Sequence, residues 1–335
     1  MSRLRSTTAV WRDSRLEGST GVIGFIVQRT LTAIPVLFLV SLITFGLIQL
    51  VPGDPAVVIA GQDATAAELA RVREMLQLDA PWYLRLVSWY GRLLHGDLGQ
   101  SFTLGRSVSD AILERAPVTF SLAVLALILT LVFGLVAGVF AALRQNSWID
   151  SALMGFALVG VSLPNFWLGI MLIFVFAVEL GWLPSGGYVG PTESVAGWLR
   201  SLILPAISLT LLQMGLLARV TRSAMIEVLR QDYVRTARAK GLPGWKVVGK
   251  HAFRNVLIPV ITVIGIIFSL LLAGAVVIET VYSLPGVGRL VVSGIARRDY
   301  PVIQGSLLVI ATACVLLNIV VDIVYAYVDP RVRYD

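Results

Sequence analysis

The chain has 335 residues, of which 57% are hydrophobic and 14% charged, with a mean hydropathy of +0.83 and a formal net charge of +7. A soluble domain would carry about a quarter charged residues, so composition excludes an ordinary water-facing surface and indicates a polytopic membrane protein. The lone Cys314 in an apolar run, and the sequence-distant His95 and His251, leave a disulfide scaffold and a His/Cys metal cluster without support.

Charge-free intervals run from Thr30 to Gly53, Ala116 to Leu143, Ser151 to Val178, Ser201 to Ala218, Asn255 to Ile278 and Tyr300 to Val321. Each supplies the roughly 20 apolar residues that a helix needs to cross hydrocarbon. The reading is an all-α integral membrane protein with six transmembrane helices, over 22–51, 118–143, 151–180, 202–219, 258–281 and 302–328. Between them lie a tail (1–21), a long loop (52–117), a basic loop (220–257), a second loop on the side of the long one (282–301) and a terminal segment (329–335). The fourth interval is the shortest, at 18 residues, and holds Pro205 and Gln213. The first apolar run exceeds the roughly 7–15 residues of a signal-peptide core and has no small-residue cleavage pattern after it, so it is expected to stay in the mature protein.

Along the chain, the tail 1–21 carries four arginines, no apolar periodicity and no readable function. In the long loop, Thr65 and Glu68 have the spacing of a capping box, followed at helical spacing by Leu69, Val72 and Leu76. A further helix begins near Pro81, whose Trp82, Tyr83, Trp89 and Tyr90 suit either the headgroup level of a bilayer or packing within the loop. "GLVAG" (Gly134 to Gly138) on the second span reads as a close helix-packing site. With the N-terminus cytoplasmic, 17 Lys and Arg fall inside and 10 outside, six of those ten in the long loop, where the rule weakens. Both termini are then cytoplasmic.

The basic loop is the concentrated feature. Nine basic residues from Arg219 to Arg254, offset only by Glu227 and Asp232, equal the net charge of the whole chain. Within it "GWKVVGKH" (Gly244 to His251) fits a phosphate-binding loop except at the last place, where His251 stands for the Mg²⁺-binding hydroxyl, and it follows a charged stretch instead of a buried strand. A helix opened by Leu242 and Pro243, with Val247, Val248 and Phe253 as its apolar stripe, is the simpler reading. Nucleic-acid binding lacks a stacking aromatic module. Attraction to anionic lipid explains the charge alone. A helix ending at Gly241 and another starting at Pro243 make a compact helix-turn-helix, which suits a docking surface for a partner.

"YVRTARAKGL…HAFRNVLIPV" (Tyr233 to Val260) resembles the cytoplasmic loop of ABC importer permeases, specifically the B-type subunit of the dipeptide/oligopeptide/nickel family. "LVPGDP" (Leu50 to Pro55), "LHGDLGQSF" (Leu94 to Phe102), "LPGVGRL" and "RRDYPVIQG" (Leu284 to Gly305) and "DPRVRY" (Asp329 to Tyr334) follow in the same order and extend the likeness over nearly the whole chain after the first twenty residues. The resemblance implies an ABC importer type I permease fold with an extracytoplasmic loop domain after the first helix, in the bacterial cytoplasmic membrane. It implies a non-catalytic subunit that binds no cofactor and no metal, paired with a homologous C-type permease, two ATP-binding subunits that use ATP and Mg²⁺, and an extracytoplasmic substrate-binding protein. The basic loop would be the coupling helix seated on an ATPase subunit. The family pattern Glu-Ala-Ala-x-x-x-Gly, aligned on Gly241, puts Arg235, Thr236 and Ala237 at its first three places, so only the second alanine and the glycine survive. On physical grounds Ala237 and Gly241 allow close approach, and Arg235, Arg238 and Lys240, beside Leu242, can meet carboxylates. Peptide is the expected cargo, with nickel chelate, glutathione or haem as alternatives.

Polar groups inside spans are expensive and face a cavity or one another. Asn165, Gln213, Glu279, Asn318 and Asp322 are therefore candidates for a translocation path, with interhelical hydrogen bonding as the competing reading. Glu279 is placed to pair with Arg289 and Asp322 to meet the interface. A stand-alone secondary transporter or channel is the alternative from another class; it would often show internal repeats and a midplane carboxylate, and neither is found.

Overall fold

In lipid every backbone polar group must find its partner within the chain, and the apolar intervals accordingly fold as helices. A computed structural model describes residues 14–49, 56–57, 61, 64–76 and 78–328. Its helices are α1 (Ser14–Gln49), α2 (Ala66–Leu76), α3 (Trp82–Leu94), α4 (Val108–Leu143), α5 (Trp148–Ser162), α6 (Asn165–Glu179), α7 (Val195–Leu229), α8 (Asp232–Ala239), α9 (Gly244–Val281), α10 (Val287–Arg297) and α11 (Tyr300–Val328). Among the described residues, α1, α4, α7, α9 and α11 are long and apolar enough to cross a bilayer, and α5 with α6 forms a sixth, bent pair. "LVPGDP" and "DPRVRY" lie outside the described residues, as do residues 1–13.

Three boundaries differ from the sequence reading. The span expected over 151–180 is two helices meeting at 102°. Pro164 disfavours helical geometry at the residue before it and has no N–H to continue the ladder, so Leu163 is extended at φ −90°, ψ 131°. Beyond the bend, α6 closes as a π-helix over Ile173–Glu179. The interval 202–219 lies inside the 35-residue α7, which absorbs Pro205 and starts at a Ser194 cap that accepts the Gly197 N–H at 3.1 Å. At the other end of the chain, α1 is already helical at Ser14, within the expected tail.

α7 is the central helix, burying Leu202, Leu204, Leu209, Leu217 and Met225 against α4, α5 and α9. Small residues set the approach. A Cβ at Gly138 would lie 2.6 Å from the Ala218 carbonyl oxygen and 2.6 Å from Thr221 Cβ, so "GLVAG" is the seam between α4 and α7. On the other side, Gly160 of α5 meets the Leu211 carbonyl of α7 and Gly215 of α7 meets the Ala157 carbonyl of α5.

The end of the bundle carrying 78–107, 180–194 and 282–299, with the described part of 56–76, is rich in loops. Here the capping box forms, with Thr65 N–H donating to Glu68 Oε2 at 2.8 Å and Glu68 N–H donating to Thr65 Oγ1 at 3.4 Å. Hydrogen bonds from the Thr65 main chain and hydroxyl hold the Glu68 carboxyl below its ordinary value. The aromatics of α3 divide into a packed pair and an exposed pair, and the packed pair rests on the first span and not within the loop. Trp89 and Tyr90 pack on α1 through Phe45 and Phe38, with Tyr90 hydroxyl 2.6 Å from Ser41 Oγ, whereas Trp82 and Tyr83 are exposed.

Two separated motifs meet at this end. The Asp299 carboxylate, buried at the start of α11, accepts from Ser101 Oγ at 2.6 Å, Thr103 N at 2.9 Å and Thr103 Oγ1 at 2.8 Å. "HGDLGQSF" is thus strapped to "RRDYP". In Asp299→Ala those donors lose their acceptor, at about 1–3 kcal/mol for each one left buried. Tryptic cleavage at Arg106 is expected to accelerate about tenfold, since each ~1.4 kcal/mol of local stability is a factor of ten in the opened population. An unchanged cleavage rate would contradict the strap.

Candidate functional site

The opposite end of the bundle carries the basic stretch. After Leu229, Arg230 and Gln231 turn the chain, and α8 buries Val234 and Ala237 against Val247 of α9, supported by Val228 and Leu229. The α8 terminus is locked by two hydrogen bonds, Gly241 N–H to Arg238 O at 2.9 Å and Leu242 N–H to Ala237 O at 3.3 Å. This is the paired closure of a helix by a left-handed glycine, and Gly241 has φ +74°. Pro243, with φ −64° and ψ 143°, then opens α9. "GWKVVGKH" is helical throughout, with Val247–Ala252 in π geometry.

Arg235, Thr236, Arg238, Lys240, Gly241 and Leu242 are all exposed on this turn. No atom lies within 4 Å of where a Cβ on Gly241 would stand, so its face is open. Ala237 differs from expectation: it faces inward, and its small size lets α8 lie close on α9 instead of admitting a partner. Sequence reasoning also passed over Trp245, which is 73% exposed beside the turn with Lys246 Nζ 5.3 Å from its ring centroid. A tryptophan among lysines in a connecting segment was the available signal.

The five intramembrane polar candidates do not gather in one place. Glu279 is fully buried near the loop-rich end, where Thr119 Oγ1 donates to it at 2.5 Å and the Arg289 N–H at 2.9 Å. Thr119 Oγ1 in turn accepts from the Val287 N–H at 2.9 Å. The carboxylate therefore caps the first turn of α10, favoured there by the helix dipole. Its pairing with Arg289 is through the main chain; the guanidinium expected as partner instead donates to the Ser283 carbonyl at 2.8 Å. "LPGVG" is explained by this nest, since a Cβ on Gly286 would run into the carboxylate and one on Gly288 would sit 2.9 Å from Oε2.

The other candidates also face helices. Asn165 abuts α9 at Gly274, and Asn318 Oδ1 abuts Gly265 of the same helix. Gln213 is buried on α7. Asp322 pairs with Arg29 Nε of α1 at 3.4 Å, a partly exposed contact joining the first and last helices. A further polar node, not anticipated, ties three helices: Tyr282 hydroxyl lies 3.0 Å from Ser208 Oγ of α7 and donates to the Gly169 carbonyl of α6 at 3.1 Å. Another is an ion pair. Asp150 of α5 accepts Arg222 Nε and Nη2 of α7 at 2.6 Å each, and the Asn146 N–H at 3.0 Å. Sequence reasoning missed this pair, because 72 positions of separation conceal it.

Similarity to known proteins fixes the family. A sequence profile described as the inner-membrane component of binding-protein-dependent transport systems matches residues 134–334, and one for the N-terminal part of such membrane components matches residues 22–123. The chain belongs to this permease family. The permease is 52% identical over 310 residues to a protein of Brucella abortus assigned as a peptide transport system permease, covering 92% of this chain and 99% of that one. It is 43% identical to the di/tripeptide transport system permease DppB of Pseudomonas aeruginosa (93% and 99% covered) and 41% identical to the glutathione transport system permease GsiC of Escherichia coli (93% and 100% covered). In fold it is similar to the methionine ABC transporter MetNI in an inward-facing conformation, with a TM-score of 0.51 at 18% identity over 63% of this chain and 93% of that one.

In the permease, the profile for the inner-membrane component spans the α4–α7 seam, α8 and its glycine turn, and the α10 nest. Among the described residues no group of three or more His, Cys, Asp or Glu could hold a metal ion. The polar clusters at Glu279, Asp299 and Asp150 all satisfy their carboxylates with donors of the chain itself, and each ties together separate elements of the fold.

Proposed function

We propose that this permease is the B-type half of a peptide importer, driven by ATP hydrolysis on separate subunits that dock on α8 and its glycine turn. The observation that carries the reading is the form of that turn: an exposed cationic knob with its own small core, continuous with the central helix α7 through two residues. Displacement of such a knob moves α7 with it. Arg235, Arg238 and Lys240 supply charge for carboxylates on the docking cleft, and Gly241, Leu242 and Trp245 supply an open apolar tip. On this reading the turn and both termini are cytoplasmic, and the loop-rich end is extracytoplasmic, with 52–117 forming a loop domain that receives cargo from a substrate-binding protein.

A homologous C-type permease completes the pathway, two ATPase subunits use ATP and Mg²⁺, and this chain itself is non-catalytic and binds no cofactor. Asn165, Gln213 and Asn318 are the candidates for its share of the path, while Glu279 and Asp322 hold helices together. The cargo is a short peptide. The named relatives act on peptides, di- and tripeptides or glutathione, and glutathione is itself a tripeptide, so one pathway chemistry serves all three.

Reconstitution tests this. Vesicles holding the complete complex should take up labelled di- or tripeptide only with both ATP and the binding protein, and vesicles holding this chain alone should take up none. Uptake by the isolated chain would instead indicate a stand-alone transporter.

A further inference from the structure

The proposed docking turn moves α7, yet the span that bends is α5–α6, and something must transmit motion between them. Over their inner halves α5 and α7 touch through glycines, Gly160 at the Leu211 carbonyl and Gly215 at the Ala157 carbonyl. Small-residue contacts of this kind set the distance between helices but include no directional side-chain hydrogen bond to fix their axial register, and shear is a common way for packed helices to move. Toward the end that carries α8 the contact changes character. Asp150, in the first turn of α5, receives the Arg222 guanidinium of α7 in a two-pronged contact, 2.6 Å on each side, with side chains only 6% and 25% exposed. The Asn146 N–H, 3.0 Å from Asp150 Oδ2, adds a third donor to the carboxylate, and the Ser147 hydroxyl, which accepts the Asp150 N–H at 3.4 Å, caps the helix turn that carries it. A planar fork on a carboxylate is directional, and it resists both rotation and sliding.

We propose that Asp150 and Arg222 are positioning residues that lock α5 to α7 against shear, so that displacement of the α8 turn is delivered to the bend at Ser162–Pro164 and not dissipated between the helices. This rests on the coupling role proposed for α8. Arg222 lies on the same unbroken helix that leads into α8, and Asp150 lies at the far end of α5 from the 102° bend, so the pair spans the whole lever.

The test uses the assembled importer in proteoliposomes, reading peptide imported per ATP hydrolysed. Asp150→Asn or Arg222→Gln alone leaves a poorly paired group in the membrane and is expected to lower the yield of folded complex. The double variant Asp150→Leu/Arg222→Met replaces the pair by apolar side chains of similar reach and is the informative one. It should assemble and hydrolyse ATP, while the import-to-hydrolysis ratio falls about tenfold, the size of an ordinary coupling energy between sites. Spin labels at the exposed positions Ser151 and Arg219, in a Cys314→Ser background, supply a readout that a merely structural pair would not move. In the parent the distance should be the same with and without ATP; in the double variant it should change when ATP binds. A double variant with parental ratio and constant distance overturns the proposal, as does a parent whose 151–219 distance changes on ATP binding. Gly241→Trp run in parallel separates the two ideas: if it uncouples transport and the double variant does not, only the α5–α7 lock fails, and if Gly241→Trp is silent the docking role itself fails.

Discussion

Gly241→Trp is expected to yield a membrane-inserted protein in which peptide uptake falls by at least about tenfold while ATP hydrolysis by the complex continues. Two effects combine. The residue sits at φ +74°, where a side chain costs about 1–2 kcal/mol of backbone strain, and it closes α8 through its own N–H. The second effect is steric and falls on the partner. Since nothing within 4 Å occupies the space of a Cβ, the indole would project from the face proposed to seat on the ATPase subunit. Gly241→Asn separates the two, because asparagine visits the left-handed region readily and adds little bulk. It should retain most uptake. If Asn and Trp were equally inactive, the turn geometry would be the requirement and not the open face; if both transported normally, the turn would have no part in coupling.

Removing the Glu279 carboxylate should lower the stability of the bundle substantially, because it is fully buried and accepts from two separate elements. In Glu279→Leu, Thr119 and the Arg289 N–H at the head of α10 lose their acceptor inside an apolar end of the protein. Each stranded group costs about 1–3 kcal/mol. A fall of about 5 °C in the unfolding midpoint in detergent is expected, since the shift per kcal/mol shrinks with chain length to roughly 1–2 °C for a chain longer than about 250 residues. Glu279→Gln keeps an acceptor oxygen and should lose less. Gly288→Val attacks the same nest from the other side: its Cβ would stand 2.5 Å from Val276 Cα, main-chain framework that no side-chain rotation relieves, so this variant should fail to accumulate in membranes. A Glu279→Leu protein as stable as the parent would mean that α10 is held by other contacts.

The spans and the glycine turn after α8 were legible because each rests on a local rule. Charge-free length marks a helix in lipid, and a glycine followed closely by a proline marks where one helix must stop and the next can start. The capping box at Thr65 and Glu68 was equally local. What escaped was tertiary. Length without charge says nothing about straightness, and the break at Pro164 lies inside a charge-free interval that read as one span. Ala237 was read by size alone, whereas its spacing from Val234 places it on the inner face of α8. Glu279 was matched to the nearest opposite charge, but the free N–H groups of a helix start compete for a carboxylate and here they win. Asp150 with Arg222, and Asp299 with Ser101 and Thr103, join positions far apart in the chain, and no local pattern announces them.

The central claim is that α8 and its turn are the surface on which ATP hydrolysis by another subunit acts. Cysteine cross-linking within the assembled complex tests it most directly, with single cysteines at Arg238 or Trp245 on the exposed turn and at Arg144, which is also exposed at that end of the bundle, all in a Cys314→Ser background. Cross-links to the ATPase subunit should form from positions 238 and 245 and not from 144. Cross-linking from 144 alone, or from none of the three in a complex that still transports, would contradict the account.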